Sequence, residues 1–260
     1  MAAMINIRIE QEFGVSSSVD VTYAGKLFRE TTLYFEKMLD EQKTWYLKGG
    51  SRKQALQHPV FIDATTVSDV VLSKWEKRYK KNYPFFGEGI WDGEKNEISA
   101  GIDLTSSCSN SSRRNNPMSL IIEFPVYPQN TILSSERMLN FIHCLILLND
   151  NCTYLSVESE GYSFPKIISK YNGYAEVYKK VFPHRISCGW MLFIPAIILP
   201  HLISEAARVV PVMKGNRQTG TIVISTDEIF DGNNIEHIRK ANDIEIRLLD
   251  LGLLPLMTDL

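Results

Sequence analysis

Two hydrophobic rhythms take turns along this chain. From Met4 to Glu10 apolar and polar residues alternate, the period of a half-buried strand. From Ala24 to Leu39 the spacing of Leu27, Thr31, Tyr34, Phe35 and Met38 is helical. Thr44-Trp-Tyr-Leu-Lys runs into Gly49-Gly50, a loop signal, and Ser51 has the chemistry of a cap for a short helix to Gln57. A second long helix is predicted from about Thr66 to Lys80, turning Val67, Val71 and Trp75 inward. The texture then changes. Gly87 to Trp91, Glu97 to Leu104 and Met118 to Phe124 read as strands, with Asp92-Gly93 as the turn between the first two. Ser106 to Asn116 is polar and aperiodic, a hairpin loop with Arg113 and Arg114 near its tip.

Ser134 to Leu148 is apolar almost all round, with Glu136, Arg137, Asn140 and His143 gathered on one edge, so it should lie between layers. A strand from Thr153 to Glu158 follows, then a helix around Ala175 to Val181, a strand from Ser187 to Ile194 and a short helix opened by Pro200. Ala207 to Met213 and Gly220 to Ser225 form a predicted hairpin. Ser225 to Glu228 fits a capping box, but Gly232-Asn233-Asn234 interrupts it; the last helix therefore starts near Asn233 and is ended by Leu254-Pro255. Mixed elements with two hairpins predict an α+β fold, largely antiparallel sheet packed with helices. The expectation is one domain over 1–260, with a candidate division near 125–130 into two subdomains of similar size.

The last helix breaks its own pattern. Arg239, Lys240, Asp243, Arg247 and Asp250 share one side of a wheel turned by about 100° per residue, and Ile238, Ala241, Ile244, Leu248 and Leu249 the other. Asn242 and Glu245 fall inside the apolar arc. Buried amides and carboxylates need partners, so these two read as a polar clamp holding the helix, with backbone amides of the Phe230–Asn234 loop or a facing strand as candidate partners. The rival reading is a pocket there, serving a small-molecule binder or an enzyme.

Charge narrows the field little. The net charge of −2 gives no global attraction to nucleic acid or anionic membrane. The start lacks a basic region followed by an apolar one, so no signal peptide is expected, and the longest apolar run, Trp190 to Leu199, falls short of the roughly 20 residues of a membrane span. Cys108, Cys144, Cys152 and Cys188 have no metal-ligand spacing and read as reduced thiols of a cytoplasmic protein. The five histidines are scattered, and Gly87-Glu-Gly-Ile-Trp-Asp-Gly93 lacks the dinucleotide spacing. No catalytic residue, metal or cofactor is therefore expected, and binding is the preferred class.

Trp91, beside a turn, has the character of an interface anchor. Residues 227–250 carry seven acids and three bases, net −4, against the basic helix at 66–80. Of the acids, Asp227, Glu228 and Asp231 gather at the entrance to the last helix.

Several short motifs occur in order: Trp45-Tyr-Leu-Lys, Gly89-Ile-Trp-Asp-Gly93, Gly189-Trp-Met-Leu-Phe-Ile-Pro195 and Gly220-Thr-Ile-Val-Ile-Ser-Thr226. Phe230-Asp, Asn234, His237-Ile, Ala241-Asn and Ile244-Glu245 complete the set, before Leu254-Pro255. Together they resemble the immunity protein 52 family of bacterial polymorphic-toxin systems, from about Trp45 to the C-terminus. That resemblance implies a cytoplasmic antidote to a cognate restriction-endonuclease-fold DNase, delivered for example by type VI secretion. The implied partner is the nuclease toxin, with no nucleic acid or membrane partner and no stated oligomeric state. Stoichiometric occlusion is the expected mechanism. A DNA-cutting partner is electropositive near its cleft, so Asp227, Glu228 and Asp231, with Trp91, are the candidate contacts.

Overall fold

A computed structural model of the chain describes residues 4–15, 19–49, 51–63, 66–95, 98–106, 117–127, 132–149, 151–164, 166–168, 173–175 and 179–257. In chain order the elements begin β1 (Ile5–Gly14), α1 (Val21–Leu39), β2 (Tyr46–Leu47), α2 (Arg52–Ala55), α3 (Asp69–Asn82) and β3 (Gly87–Trp91). They continue β4 (Gly101–Ser106), β5 (Pro117–Val126), α4 (Ser135–Leu148), β6 (Cys152–Ser159), β7 (Lys166–Ile168) and β8 (Gly173–Ala175). The last are β9 (Met191–Ile194), β10 (Arg208–Lys214), β11 (Arg217–Ile224) and α5 (Ile235–Asp250). The fold is α+β, and every register below is antiparallel.

The chain forms two compact units, neither a continuous half of the sequence. One takes Met1–Gln11, Val126–Leu139 and Cys152–Leu260; the other takes Glu12–Pro125 and Asn140–Asn151. The chain changes unit at Pro125–Val126 and also inside β1 and α4.

The second unit is built on strands in the order β5-β4-β3-β2. Trp91 of β3 stands opposite Tyr46 of β2 and Gly101 of β4. Helix α1 starts where Asp20 accepts a hydrogen bond from the Tyr23 amide and ends at Asp40, a left-handed residue whose amide bonds the Glu36 carbonyl. Its buried Ala24, Leu27, Phe28, Thr31, Phe35 and Met38 keep the helical spacing seen in the sequence. Phe35 meets the rings of Trp45, Phe124 and Phe141 edge-on at 5.7, 5.1 and 6.0 Å, the favoured geometry of aromatic pairs. Helix α3 buries Val71 and Trp75, and the Trp75 ring lies 5.3 Å from that of Phe28, tilted by 35°. Val67, expected on that helix, lies before its first residue and bridges to Phe61.

The first unit orders its strands β10-β11-β9-β6, followed by β1. The β10–β11 hairpin pairs Arg208 with Ile224 through to Lys214 with Arg217 and carries a bulge between Val212 and Met213. Strand β6 is buried at every residue from Tyr154 to Ser159, as expected of an interior strand. Tyr154, Cys188, Leu192, Ile198, Val223, Ile244 and Leu248 meet in the core. Gly220 leaves room where β11 begins its pairing with β9: a Cβ there would stand 2.3 Å from the Phe193 ring and 2.6 Å from the Ile194 carbonyl.

Three expectations need correction. Ala175 ends strand β8, paired with Lys166, where a helix around 175–181 was expected; residues 176–178 lie outside the described residues, and Lys179 and Lys180 are not helical. The local helix-like pattern is overridden because this segment finds its partners in a neighbouring strand and in α5. The last helix is closed by Gly252, and Leu254-Pro255 lies beyond its end. Gly252 adopts φ +69°, its amide bonds the Leu249 carbonyl and the Leu253 amide bonds the Leu248 carbonyl, the two bonds of a Schellman ending. The strand expected over Ser187–Ile194 begins only at Met191, because the preceding amides turn to side-chain acceptors. The loop expected at 106–116, with Cys108, Arg113 and Arg114, falls outside the described residues apart from Ser106, the last residue of β4.

No described helix is long and apolar enough to cross a membrane.

Candidate functional site

Helix α5 brings its two misplaced polar residues onto one tyrosine. Asn234 caps the helix by accepting from the Glu236 amide at 3.0 Å, which sets the rotation of the turns that follow. His237, Ala241, Ile244, Glu245 and Leu248 are then buried. Glu245 has 0 % of its surface exposed. Its Oε1 accepts from the Cys188 amide at 3.1 Å and lies 2.8 Å from the Tyr162 hydroxyl, while Oε2 accepts from the Val181 amide at 3.2 Å. Asn242 Oδ1 lies 2.9 Å from the same hydroxyl, and its Nδ2 donates to the Lys179 carbonyl at 3.2 Å. The partners are thus the 179–188 segment and Tyr162, not the Phe230–Asn234 loop.

A second buried acid sits one residue further along the same bend. Glu158, in β6, accepts from Ser187 Oγ at 2.8 Å and the Gly189 amide at 3.2 Å through Oε1, and from Ser163 Oγ at 2.8 Å through Oε2. The consecutive amides of Cys188 and Gly189 therefore point to two different carboxyl groups. Residue 189 must be glycine here, because a Cβ would stand 2.2 Å from Glu158 Oε2. Burial pushes the Glu158 carboxyl up from 4.5 to about 7, against its hydrogen bonds and with the nearby Glu245 charge adding to the rise. Burial also raises Glu245, opposed by its bonds from Tyr162, Cys188 and Val181 and by the Lys180 charge. The Tyr162 hydroxyl and the Cys188 thiol are driven upward by burial and by the two acids, so both stay neutral.

Sequence reading missed Glu158, Tyr162 and Ser187. The signal for Glu158 was an acid in a strand with buried neighbours on both faces, and a single sequence does not reveal which strands are interior.

The three acids at the helix entrance share one loop, held from beneath. Trp190 Nε1 donates to the Thr226 carbonyl at 3.1 Å, the Gly232 amide to Ser159 Oγ at 2.7 Å and Lys179 Nζ to the Gly232 carbonyl at 2.6 Å. Asp227 and Glu228 point outward and are exposed. Glu228 reaches His237 Nε2 at 3.3 Å with a side chain 80 % exposed. Because His237 Nδ1 accepts from the Asp231 amide at 3.0 Å, its proton belongs on Nε2, facing Glu228. Asp231 is only half-buried, and its Oδ1 holds the Asn233 amide at 2.8 Å, a turn-forming bond. So Asp227 and Glu228 form the outward surface, and Asp231 shapes the loop.

Trp91 belongs to the other unit. It is half-buried, its ring 6.4 Å from that of Tyr46. The following Asp92 is buried, with Lys43 at 3.2 Å, and Gly93 adopts φ +81° with its carbonyl held by Arg52. Among the described residues no group of three or more His, Cys, Asp and Glu could hold a metal ion. Cys144, Cys152 and Cys188 are free thiols, the last two buried.

Compared with protein-family models, the chain matches none. Compared with curated proteins, it again finds no match.

Proposed function

We propose that this chain is an immunity protein that neutralises a cognate restriction-endonuclease-fold DNase in the cytoplasm by binding it stoichiometrically. The observation that carries the reading is the Thr226–Asn234 loop. It presents Asp227 and Glu228 to solvent on a backbone fixed by Trp190, Ser159 and Lys179. A charged surface that does not have to be ordered on binding loses less entropy in the complex. Opposite charge around a DNA-cutting cleft would accelerate the encounter by roughly 10–1,000-fold at low salt. The motifs behind the family resemblance fit this division of labour. Gly189 and Gly220 make room for close packing, Phe230 stacks on His237 at 5.6 Å, and Asn242 and Glu245 clamp α5. These residues hold the scaffold, and the contact surface is free to vary around them.

The test is Asp227→Lys with Glu228→Lys, leaving Asp231 in place because it supports the turn. The partner is the nuclease encoded beside this chain, and binding is followed by surface plasmon resonance at several salt concentrations. The association rate should fall at least tenfold at low salt and lose most of its salt dependence. Unchanged rates with an unchanged salt slope would remove this loop from the interface. Failure of the wild-type chain to bind that nuclease or protect cells from it would remove the function itself.

A further inference from the structure

Tyr162 has one hydroxyl proton and two oxygen neighbours, Asn242 Oδ1 at 2.9 Å and Glu245 Oε1 at 2.8 Å. The Asn242 amide cannot be turned round without loss, because its Nδ2 serves the Lys179 carbonyl. Its Oδ1 therefore faces Tyr162 and competes with Glu245 Oε1 for the one hydroxyl proton. A donor shared in this way compensates a charge on Glu245 less than a dedicated one would. Glu158 shares the bend that holds Glu245, and its hydrogen bonds among the described residues come only from neutral donors: two serine hydroxyls and the Gly189 amide.

Among the described residues, the Lys180 charge acts on the pair, lowering Glu245 against the effect of burial. Lys179 Nζ donates to the Gly232 carbonyl, Lys180 Nζ to the Arg185 carbonyl at 3.1 Å, and Arg185 to the Leu254 carbonyl. From β1, Arg8 lies over the Phe164 ring at 4.5 Å and Glu10 accepts from Tyr154. From α5 itself, His237 faces Glu228. Tyr162 and Cys188 supply no charge near neutrality. Two buried carboxyl groups on one bend, the charge on Glu245 raising Glu158, are costly to ionise together.

We infer that the Glu158–Glu245 pair is a proton lock: it retains a proton while α5 is docked, and losing that proton to solvent loosens α5. The lock belongs to the fold of the first unit and stands independently of any partner.

The sign follows from linkage. Burial raises the folded-state value of Glu158 from 4.5 to about 7, so the docked state binds more protons than the opened state between those values. Docking is then most favourable below pH 4.5, weakens as pH rises toward 7 and levels off above it. The opening constant should climb up to tenfold per pH unit in that window. Release would reach the acidic loop, because Gly232 and Asn234 tie that loop to β6 and to the start of α5.

The experiment is amide hydrogen exchange of the full chain from pH 5 to 8.5, corrected for intrinsic exchange, with α1 as internal reference. The α5 amides should lose protection relative to α1 by about 100-fold across the range, and Glu158→Gln or Glu245→Gln should flatten that slope. A wild-type slope of zero, or Gln variants as pH-dependent as wild type, would overturn the lock. If the variants do not fold, carboxyl-carbon NMR of the wild-type chain decides. One of the two carboxyls titrating near neutrality supports the lock, and both titrating near 4.5 rejects it.

Discussion

Replacing Glu245 with leucine isolates the worth of the clamp. Leucine keeps helix propensity and approximate volume, and it introduces no charge. It strands the buried Cys188 amide and the part-buried amide of the exposed Val181, whose acceptors are the Glu245 oxygens. Tyr162 keeps Asn242 as a partner. A buried donor left without an acceptor costs about 1–3 kcal/mol; the Val181 amide, within reach of water, adds about 1 kcal/mol, for about 2–4 kcal/mol together. Leucine also removes the desolvation of an acid and adds apolar burial, an offset of roughly 1–2 kcal/mol. The net loss is then centred near about 1.5 kcal/mol, within about 0–3 kcal/mol, against a typical stability of about 5–15 kcal/mol. Urea unfolding followed by tryptophan fluorescence, to which the fully buried Trp190 of the same unit contributes, reads this. With a slope of about 2 kcal/mol per molar, the midpoint should drop by about 0.5–1 M. Glu245→Gln, which keeps an acceptor oxygen, should fall between wild type and leucine. A leucine variant as stable as wild type that no longer neutralises its nuclease would refute the clamp and place Glu245 in function.

Two glycines separate steric from conformational demands. Gly220→Ala places a Cβ against the Phe193 ring and the Ile194 carbonyl, and a backbone atom cannot turn aside; a loss of about 1–3 kcal/mol is expected in thermal or urea unfolding. Gly252→Ala meets nothing within 4 Å but must hold φ +69°, so only the left-handed strain of about 1 kcal/mol should appear. Equal losses at the two positions would contradict this distinction.

Much of the fold was legible because local rules coincide with the tertiary solution. Asp92-Gly93, Ser51 and the alternation in β1 name turns, caps and strands by chemistry that acts within a few residues. The helix at 175–181 failed for the opposite reason. Ala175 pairs with Lys166, and the Lys179 carbonyl and Val181 amide are claimed by residues 63 and 64 positions away, on α5. Such bonds leave no periodicity to read. The clamp shows both sides. Asn242 and Glu245 announced themselves as polar residues in an apolar arc, yet their partners could not be named, because Tyr162, Val181 and Cys188 carry no local mark of that task.

The sequence by itself determined the class of each long element, the α+β character and the oddity of two polar side chains on the buried arc of the last helix. Those properties depend on residue type and on contacts within a turn or two. Tertiary structure decided that Glu158 and Glu245 share one bend, that Gly189 admits them, and that Asp231 supports the loop from which Asp227 and Glu228 face water. It also decided which segments compose each unit, joining residues from both ends of the chain. The physical reason is that a buried charge takes its value from neighbours brought from elsewhere in the chain, and a single sequence does not list them.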